Sequence, residues 1–227
     1  DFTYPYSIGE LKLHTKNVLF SSVIPTATSG ERVMILNSGK EELSVQTDKL
    51  PSYLMAEINP SVLKPGETGE ITLLFDGHAA KKPGRYTDNI TLNISNGGKK
   101  VKGKLQVSAN LVDDFSRLSA TAKANAPQIQ LSSTLIDFGV LSDKGKASQK
   151  FKVTNNGKSP LVIHSISCEN ELVTIQGGKK EIKPGATCTF TVQLRPKEIK
   201  TKLEALINIV CNDPNGPVRL IKISASK

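Results

Sequence analysis

Three short blocks of this 227-residue sequence occur twice, and their nearly constant separation constrains the fold more than any other feature. The repeated pairs are 118, 119 and 117 residues apart, and they begin at Leu36 and Thr154, at Leu63 and Ile182, and at Asn89 and Leu206. Self-similarity at a fixed spacing indicates copies of one structural unit. The chain is therefore predicted to contain two domains of about one hundred residues each, the usual size of an immunoglobulin-like sandwich.

Short runs of alternating polar and apolar residues indicate that both domains consist of strands. From Thr187 to Leu194 every second residue is apolar, which is the pattern of a strand with one buried face. Gly, Pro and Asn separate these runs at regular intervals, and no long segment has a helical period. The pattern predicts an all-β fold of two tandem immunoglobulin-like β-sandwich domains.

The repeated turns allow predictions about backbone conformation. In the Asn-x-Gly blocks at residues 37–39 and 155–157, the Gly is predicted to supply the positive φ of a tight turn. In the two Lys-Pro-Gly turns, at residues 64–66 and 183–185, Pro presets φ and Gly takes the left-handed position.

The predicted domains are residues 1–112 and 127–227, and residues 113–126 form a connector between them. The connector is short, rich in Ala and ends before Pro127, so it is expected to contain one helical turn.

The second domain carries most of the net charge of +9. Residues 1–112 hold 13 basic and 11 acidic residues, whereas residues 127–227 hold 15 basic and 8 acidic ones. A basic surface can bind an acidic glycan or lipid, or it can serve solubility alone, and Lys on edge strands also prevents unwanted pairing. The candidate polyanion contacts are Lys179, Lys180, Lys183, Lys197, Lys200 and Lys202.

The three Cys residues all lie in the second domain, and their spacing matches no metal-binding pattern. Cys188 and Cys211 are in the apolar phase of their strands, so they either form a disulfide across the sandwich or remain as two buried thiols. Cys168 is at a strand end and is expected to be the more exposed one. His164 would share a strand face with Cys168, but at a distance too large for a catalytic pair.

No residue pattern predicts an active site, so we expect no enzymatic activity, no catalytic residues and no cofactor. The three His residues are scattered and predict no metal site. Patterns typical of serine hydrolases, phosphate-binding loops and dinucleotide-binding folds are absent. No run of 18 apolar residues occurs, so the sequence predicts no transmembrane segment.

Four motifs of the second domain occur together, and a family resemblance rests on them. They are Asp137-Phe138-Gly139 at a strand end, Thr154-Asn155-Asn156-Gly157, Pro160-Leu161-Val162-Ile163 and Lys183-Pro184-Gly185. This combination resembles the domain-of-unknown-function family number 1573. The resemblance implies an immunoglobulin-like fold similar to major-sperm-protein, ASH and Hydin domains. It also implies export in a Gram-negative bacterium, with a signal peptide or lipid anchor upstream. Many members carry Ser-Cys-Gly-Cys where this chain has Ser167-Cys168-Glu169-Asn170, so no paired-Cys chemistry is carried over.

Together these features predict a non-catalytic protein-interaction or structural module of the bacterial cell envelope, periplasmic or at the cell surface. The expected partner is another envelope protein, and strand addition at an exposed sheet edge is one physical route to it. The alternative is binding of a polyanion, such as an acidic glycan or lipopolysaccharide, through the basic second domain, and this binding would fall steeply with salt. Nucleic acid is not an expected partner.

Overall fold

The computed structural model describes all 227 residues and divides them into two compact units. The first unit comprises Asp1–Lys82 and Tyr86–Leu111, and the second comprises Pro83–Arg85 and Val112–Lys227. Each unit is an immunoglobulin-like β-sandwich, so the predicted fold class is confirmed. The segment proposed as a connector is grouped with the second unit.

The first unit consists of ten strands in two sheets. The strands are β1 (Tyr6–Ile8), β2 (Leu11–Leu13), β3 (Asn17–Val23), β4 (Thr28–Asn37), β5 (Leu43–Thr47), β6 (Leu54–Asn59), β7 (Val62–Leu63), β8 (Thr68–Asp76), β9 (Gly84–Asn96) and β10 (Lys99–Leu111). One sheet has the order β1-β2-β4-β8-β6, and the other has the order β3-β10-β9-β5-β7. A single helical turn, α1 (Gly77–Ala80), follows β8, and the side chain of Asp76 caps its first turn.

The second unit has nine strands in two sheets. The strands are β11 (Ile129–Leu131), β12 (Leu135–Val140), β13 (Ala147–Asn155), β14 (Leu161–Cys168), β15 (Val173–Gly177), β16 (Glu181–Ile182), β17 (Thr187–Leu194), β18 (Lys202–Cys211) and β19 (Val218–Ser226). The sheet orders are β11-β13-β17-β15 and β12-β19-β18-β14-β16. The helical turn expected before β11 is confirmed as α2 (Ala120–Ala124), which Ser119 caps. A short 3-10 turn, Pro196–Glu198, follows β17.

Alternating burial along the strands places one hydrophobic core between the two sheets of each unit. In β17, Phe190, Val192 and Leu194 are buried, and the residues between them are not. Removal of apolar surface from water is the main favourable term in folding, so this alternation determines which strand face turns inward. The predicted half-buried strand is confirmed.

Strand pairing repeats between the units at the spacing found in the sequence. In the first unit Leu54 pairs with Phe75, and 119 residues later Val173 pairs with Leu194. The backbone N–H of Val45 donates to the carbonyl of Ser61, and the N–H of Ile163 donates to that of Lys180. The two units are therefore structural repeats, and their positions can be compared one by one.

A buried Asn closes one end of the first sandwich. Asn37 has no exposed surface, and its Nδ2 donates to the carbonyls of Glu41, at 2.8 Å, and Leu63, at 2.9 Å. Its Oδ1 accepts the N–H of Gly39 at 2.8 Å. The side chain thus joins the end of β4 to the start of β5 and to β7, and it satisfies backbone groups that would otherwise be buried without a partner.

Asn155 does the same in the second sandwich. It is also fully buried, and its Nδ2 donates to the carbonyls of Ser159, at 2.8 Å, and Ile182, at 2.9 Å. Its Oδ1 accepts the N–H of Gly157 at 2.9 Å. The repeated Asn is therefore a core residue that ties β13, β14 and β16 together, and not only a turn former.

The predicted positive φ is found at the glycines of one repeated turn and not at those of the other. Gly66 and Gly185 both have a φ of 76°, which confirms the predicted Lys-Pro-Gly turns. Gly39 and Gly157 are not in the positive-φ region, so the prediction for Asn-x-Gly was wrong. At Gly157 the reason for glycine is close approach, because an added Cβ would overlap the carbonyl oxygen of Ala126.

Candidate functional site

A β-bulge in β14 decides which of its side chains face the core. Ile163 lies opposite Cys211, and Cys168 lies opposite Ile207, but the register shifts between Ile163 and Ser165. The extra residue is His164. Ile163 and Cys168 therefore face the same side although they are five residues apart, because a one-residue insertion reverses the alternation beyond it.

The bulge determines the surroundings of two residues of this segment. Cys168 was expected to be the more exposed cysteine; it is half-buried, as Cys188 is, whereas Cys211 is buried, and it packs against the core of the second unit. His164 was expected on the same strand face as Cys168. Its Nε2 instead lies 2.8 Å from Oδ2 of Asp113, in the segment that contains α2.

All three cysteines are free thiols. Cys211 is buried, and Cys188 is half-buried beside the same core. Burial raises the pKa of the Cys211 thiol to about 11, and burial also raises the pKa of Cys168. These two groups are held as neutral thiols near neutral pH, which is the unreactive form.

The candidate lysines fall into two groups at opposite ends of the second unit. Lys179, Lys180 and Lys183 lie in the segments before β17, whereas Lys197, Lys200 and Lys202 follow it. Lys180 is hydrogen-bonded to Ile163, which lies opposite Cys211 at the end of β18, whereas Lys202 is the first residue of that strand. A strand of ten residues spans about 30 Å at roughly 3.3 Å per residue. This span is several times the Debye length at physiological salt, roughly 8 Å, so the two groups do not act as one basic surface.

The histidines remain apart and each has a local contact. His14 accepts the backbone N–H of Met34 at 2.7 Å, and His78 lies 3.3 Å from the Asp76 carboxylate. No group of three or more His, Cys, Asp or Glu side chains is placed to hold a metal ion.

Two strand edges of the second unit are open on the same side of the sandwich. On its outer side, β14 pairs with β16 only at Leu161 and Val162. Beyond them, Ile163 makes one backbone hydrogen bond, of 2.7 Å, to Lys180. In the other sheet, β15 pairs with β17 alone. We call these two outer edges the open edge of the second unit.

A cleft of about 240 Å³ lies between the two strands of the open edge. The apolar side chains that line it are Ile163, Ile166, Ile175 and Phe190. Phe190 is fixed by the ring of Phe151, with ring centroids 5.3 Å apart in a stacked arrangement. Lys179 and Lys180, both exposed, line the cleft as well, and no acidic side chain does. We call this the β14–β15 cleft.

Two glycines shape the β14–β15 cleft. Gly177 pairs with Phe190 at the end of β15, and Gly supplies no side chain at this position. An added Cβ at Gly178 would overlap the Phe190 ring. Both glycines have positive φ, 83° and 71°, which L side chains rarely adopt. The backbone at Gly178 therefore packs directly against the Phe190 ring, which stays buried and forms part of the cleft wall.

Sequence reasoning missed this cleft, although the repeat contained a signal for it. At the spacing of 119 residues, Ile58 and Asn59 correspond to Gly177 and Gly178. In the first unit Ile58 lies opposite Ile71 and packs against the core. The replacement of a partly buried isoleucine by glycine in one copy of a repeat indicates missing volume at an edge.

Comparisons with known proteins agree with the fold. Residues 127–226 match the family described as HYDIN/CFA65/VesB-like, Ig-like domain, which confirms the expected likeness of the second unit to Hydin-type domains. A crystal structure of a protein of unknown function from Porphyromonas gingivalis W83 has a TM-score of 0.83 at 28% identity, over 96% of this chain and 100% of that one. No curated protein matches the chain.

Two further solved structures match at lower similarity. The human CEP192 ASH/PapD-like domain 7 has a TM-score of 0.40 at 11% identity, over 50% of this chain and 95% of that one. The YadV chaperone has a TM-score of 0.35 at 15% identity, over 96% of this chain and 100% of that one. Among the helices of the structure, none has the length and apolar character needed to cross a membrane.

Proposed function

We propose that this chain is a non-catalytic protein-interaction module of the bacterial cell envelope. The observation that carries the proposal is the open edge of the second unit, where β15 has no neighbour on its outer side and β14 pairs with no strand beyond Val162. Edge strands expose backbone N–H and C=O groups that can pair with another chain. A protein partner is therefore the class of ligand that this surface serves.

The first unit supports the proposal by contrast. Its corresponding edge strand, β6, is followed directly by Pro60, which has no N–H to donate. Proline at an edge is a common protection against strand pairing. No proline lies between Leu161 and Ile182, so the second unit lacks this protection.

We further propose membership of the domain-of-unknown-function family 1573 and export to the periplasm or cell surface. Support comes from the motif Asp137-Phe138-Gly139, which has a defined structural role. Asp137 accepts the N–H of Gly139 at 2.8 Å, and Gly139 has a φ of 64°, so the motif forms a turn at the bulge of β12. The chain's similarity to a bacterial protein of known structure supports a bacterial setting.

No specific arrangement of side chains supports polyanion binding. The six candidate lysines are divided between the two ends of the second unit, and none of the comparisons points to a glycan or lipid ligand. The lysines at the β14–β15 cleft fit a protein ligand with local acidic groups better than a long uniform polyanion.

The test is capture of partners on the immobilised full-length chain from an envelope extract, at low and at high salt. The retained protein is identified, purified and titrated against the chain by calorimetry. We expect a protein that stays bound at high salt. Retention of only acidic glycan or lipid, released as salt rises, would refute the proposal and favour polyanion binding.

A further inference from the structure

The β14–β15 cleft has the features of a docking site for a strand-like peptide. We propose that it receives an extended segment of a partner protein that adds to the open edge, inserts one aromatic or branched apolar side chain between β14 and β15, and carries carboxylates beside that side chain. This inference rests on the proposed function and names the partner's chemistry and its site.

The backbone of the open edge can supply the hydrogen bonds for an added strand. Thr174 and Gln176 of β15 are exposed, and their strand has no neighbour on its outer side. On the opposite side of the cleft, β14 lacks a partner strand beyond Val162. Strand addition derives its affinity from such main-chain hydrogen bonds and its specificity from pockets for alternate side chains.

The size of the cleft limits what can enter it. Its volume of about 240 Å³ is below the range of about 300–1,000 Å³ that is usual for small-molecule sites. Its inner surface is apolar and ends on the Phe190 ring, which is 5% exposed. A single large apolar side chain fits this space, and an aromatic one would also contact the fixed ring.

Charge selects an acidic peptide over a neutral one. Lys179 and Lys180 line the cleft, and neither takes part in an ion pair. Glu181 follows them in the chain, but it does not line the cleft. Carboxylates next to the inserted side chain would lie beside the two ammonium groups, and complementary charge of this kind improves both association rate and specificity.

A second copy of this chain is a poorer occupant. Pairing β15 with another β15 would present Thr174 and Gln176, which are uncharged, to the lysines of the cleft. Its apolar side chains are Val173, which is buried in its own core, and Ile175, which already forms part of the wall of its own cleft. The observations therefore favour a different, acidic segment.

The test uses nuclear magnetic resonance of the full-length ¹⁵N-labelled chain with a synthetic probe. The probe is an extended peptide of about ten residues, alternating threonine and valine, with a central phenylalanine and an aspartate on each side. We expect saturable binding with a dissociation constant of about 1–100 μM, and shifts confined to β14, β15 and residues 177–180. A probe with alanine at the centre, or with N-methylated backbone amides, should bind at least about tenfold more weakly.

Variants of the chain test the two halves of the site separately. Lys179→Glu with Lys180→Glu should weaken probe binding by about tenfold or more, whereas Lys197→Glu with Lys200→Glu, the same change in net charge at the other end of the unit, should change it by less than about twofold. Ile175→Phe should weaken binding by filling the cleft. If Ile175→Phe does not fold, the exposed lysine pairs still decide the outcome.

Three results would overturn the assignment: no saturable shifts up to about 1 mM probe, shifts that map elsewhere, or equal effects of the two lysine pairs. The capture experiment separates this inference from the proposed function. A captured partner that binds Lys179→Glu/Lys180→Glu as well as the unchanged chain refutes the cleft alone. Absence of any protein partner refutes the proposed function, whatever the probe does.

Discussion

The change of Asn155 to Ala should destabilise the second unit far more than its position in a turn suggests. The side chain is fully buried and makes hydrogen bonds of 2.8 Å to Ser159, 2.9 Å to Ile182 and 2.9 Å to Gly157. Alanine can replace none of them. The change therefore removes three bonds at once from one end of the sandwich.

The expected loss is about 3 kcal/mol of unfolding free energy. A typical intramolecular hydrogen bond contributes about 1 kcal/mol net, and a buried backbone group left without a partner costs roughly 1–3 kcal/mol. The carbonyl of Ile182 is on the buried side of this end, so water does not readily replace the lost donor. A loss of this size corresponds to a fall of about 10–20 °C in melting temperature for a domain of this length.

The assay is urea and thermal unfolding of the full-length chain, followed by far-UV circular dichroism. All four tyrosines lie in the first unit and there is no tryptophan, so tyrosine fluorescence reports on the first unit. Hydrogen exchange in peptides from residues 127–227 reports on the second unit. The matched control is Asn156→Ala, because Asn156 is exposed and its side chain contacts only Gln130.

We expect Asn156→Ala to cost less than about 1 kcal/mol. If Asn155→Ala is no more destabilising than this control, the buried-Asn explanation of the repeated motif is refuted. If Asn37→Ala leaves the first unit unchanged while Asn155→Ala weakens the second, the equivalence of the two asparagines is refuted.

Three further predictions test the remaining structural conclusions. Gly157→Ala should lower the free energy of unfolding by about 2 kcal/mol because its Cβ would overlap backbone, whereas Gly39→Ala should lower it by less than about 1 kcal/mol because only a flexible side chain is in the way. Equal losses in thermal unfolding would contradict this prediction. Cys211, whose thiol pKa is raised to about 11, should not react with a thiol reagent at pH 8 until the chain unfolds, because only roughly one part in a thousand is thiolate at this pH. Mass spectrometry locates the labelled residue, and rapid labelling of Cys211 in the native chain would refute its burial. Tyr53→Phe should lower the free energy of unfolding by about 1–2 kcal/mol because it removes the 2.5 Å hydrogen bond to Asp88. Burial, together with the Asp88 carboxylate, raises the pKa of Tyr53, so its tyrosinate absorbance should appear only at strongly alkaline pH. Titration of Tyr53 in the range of an ordinary tyrosine would count against this contact.

The open edge shows why the candidate site could be predicted only in part. The sequence indicated that strand edges would be exposed and that Lys179 and Lys180 were candidate contacts. It did not show that Gly177 lies opposite Phe190, because this pairing joins strands that are separate in the sequence. Nor did it separate the lysines at the cleft from those near Lys197, since distance along the chain does not give distance in space.

The sequence by itself determined the architecture: two repeated sandwiches, strands with one buried face, and the turns at Gly66 and Gly185. These features depend on local periodicity and on backbone conformations that only certain residues adopt, so a single chain segment contains the information. The tertiary structure alone decided the bulge at His164, the packing of Cys168 against the core and the close approach at Gly157. Each of these depends on which distant backbone lies alongside, and side-chain alternation reverses with a shift of one residue in that pairing.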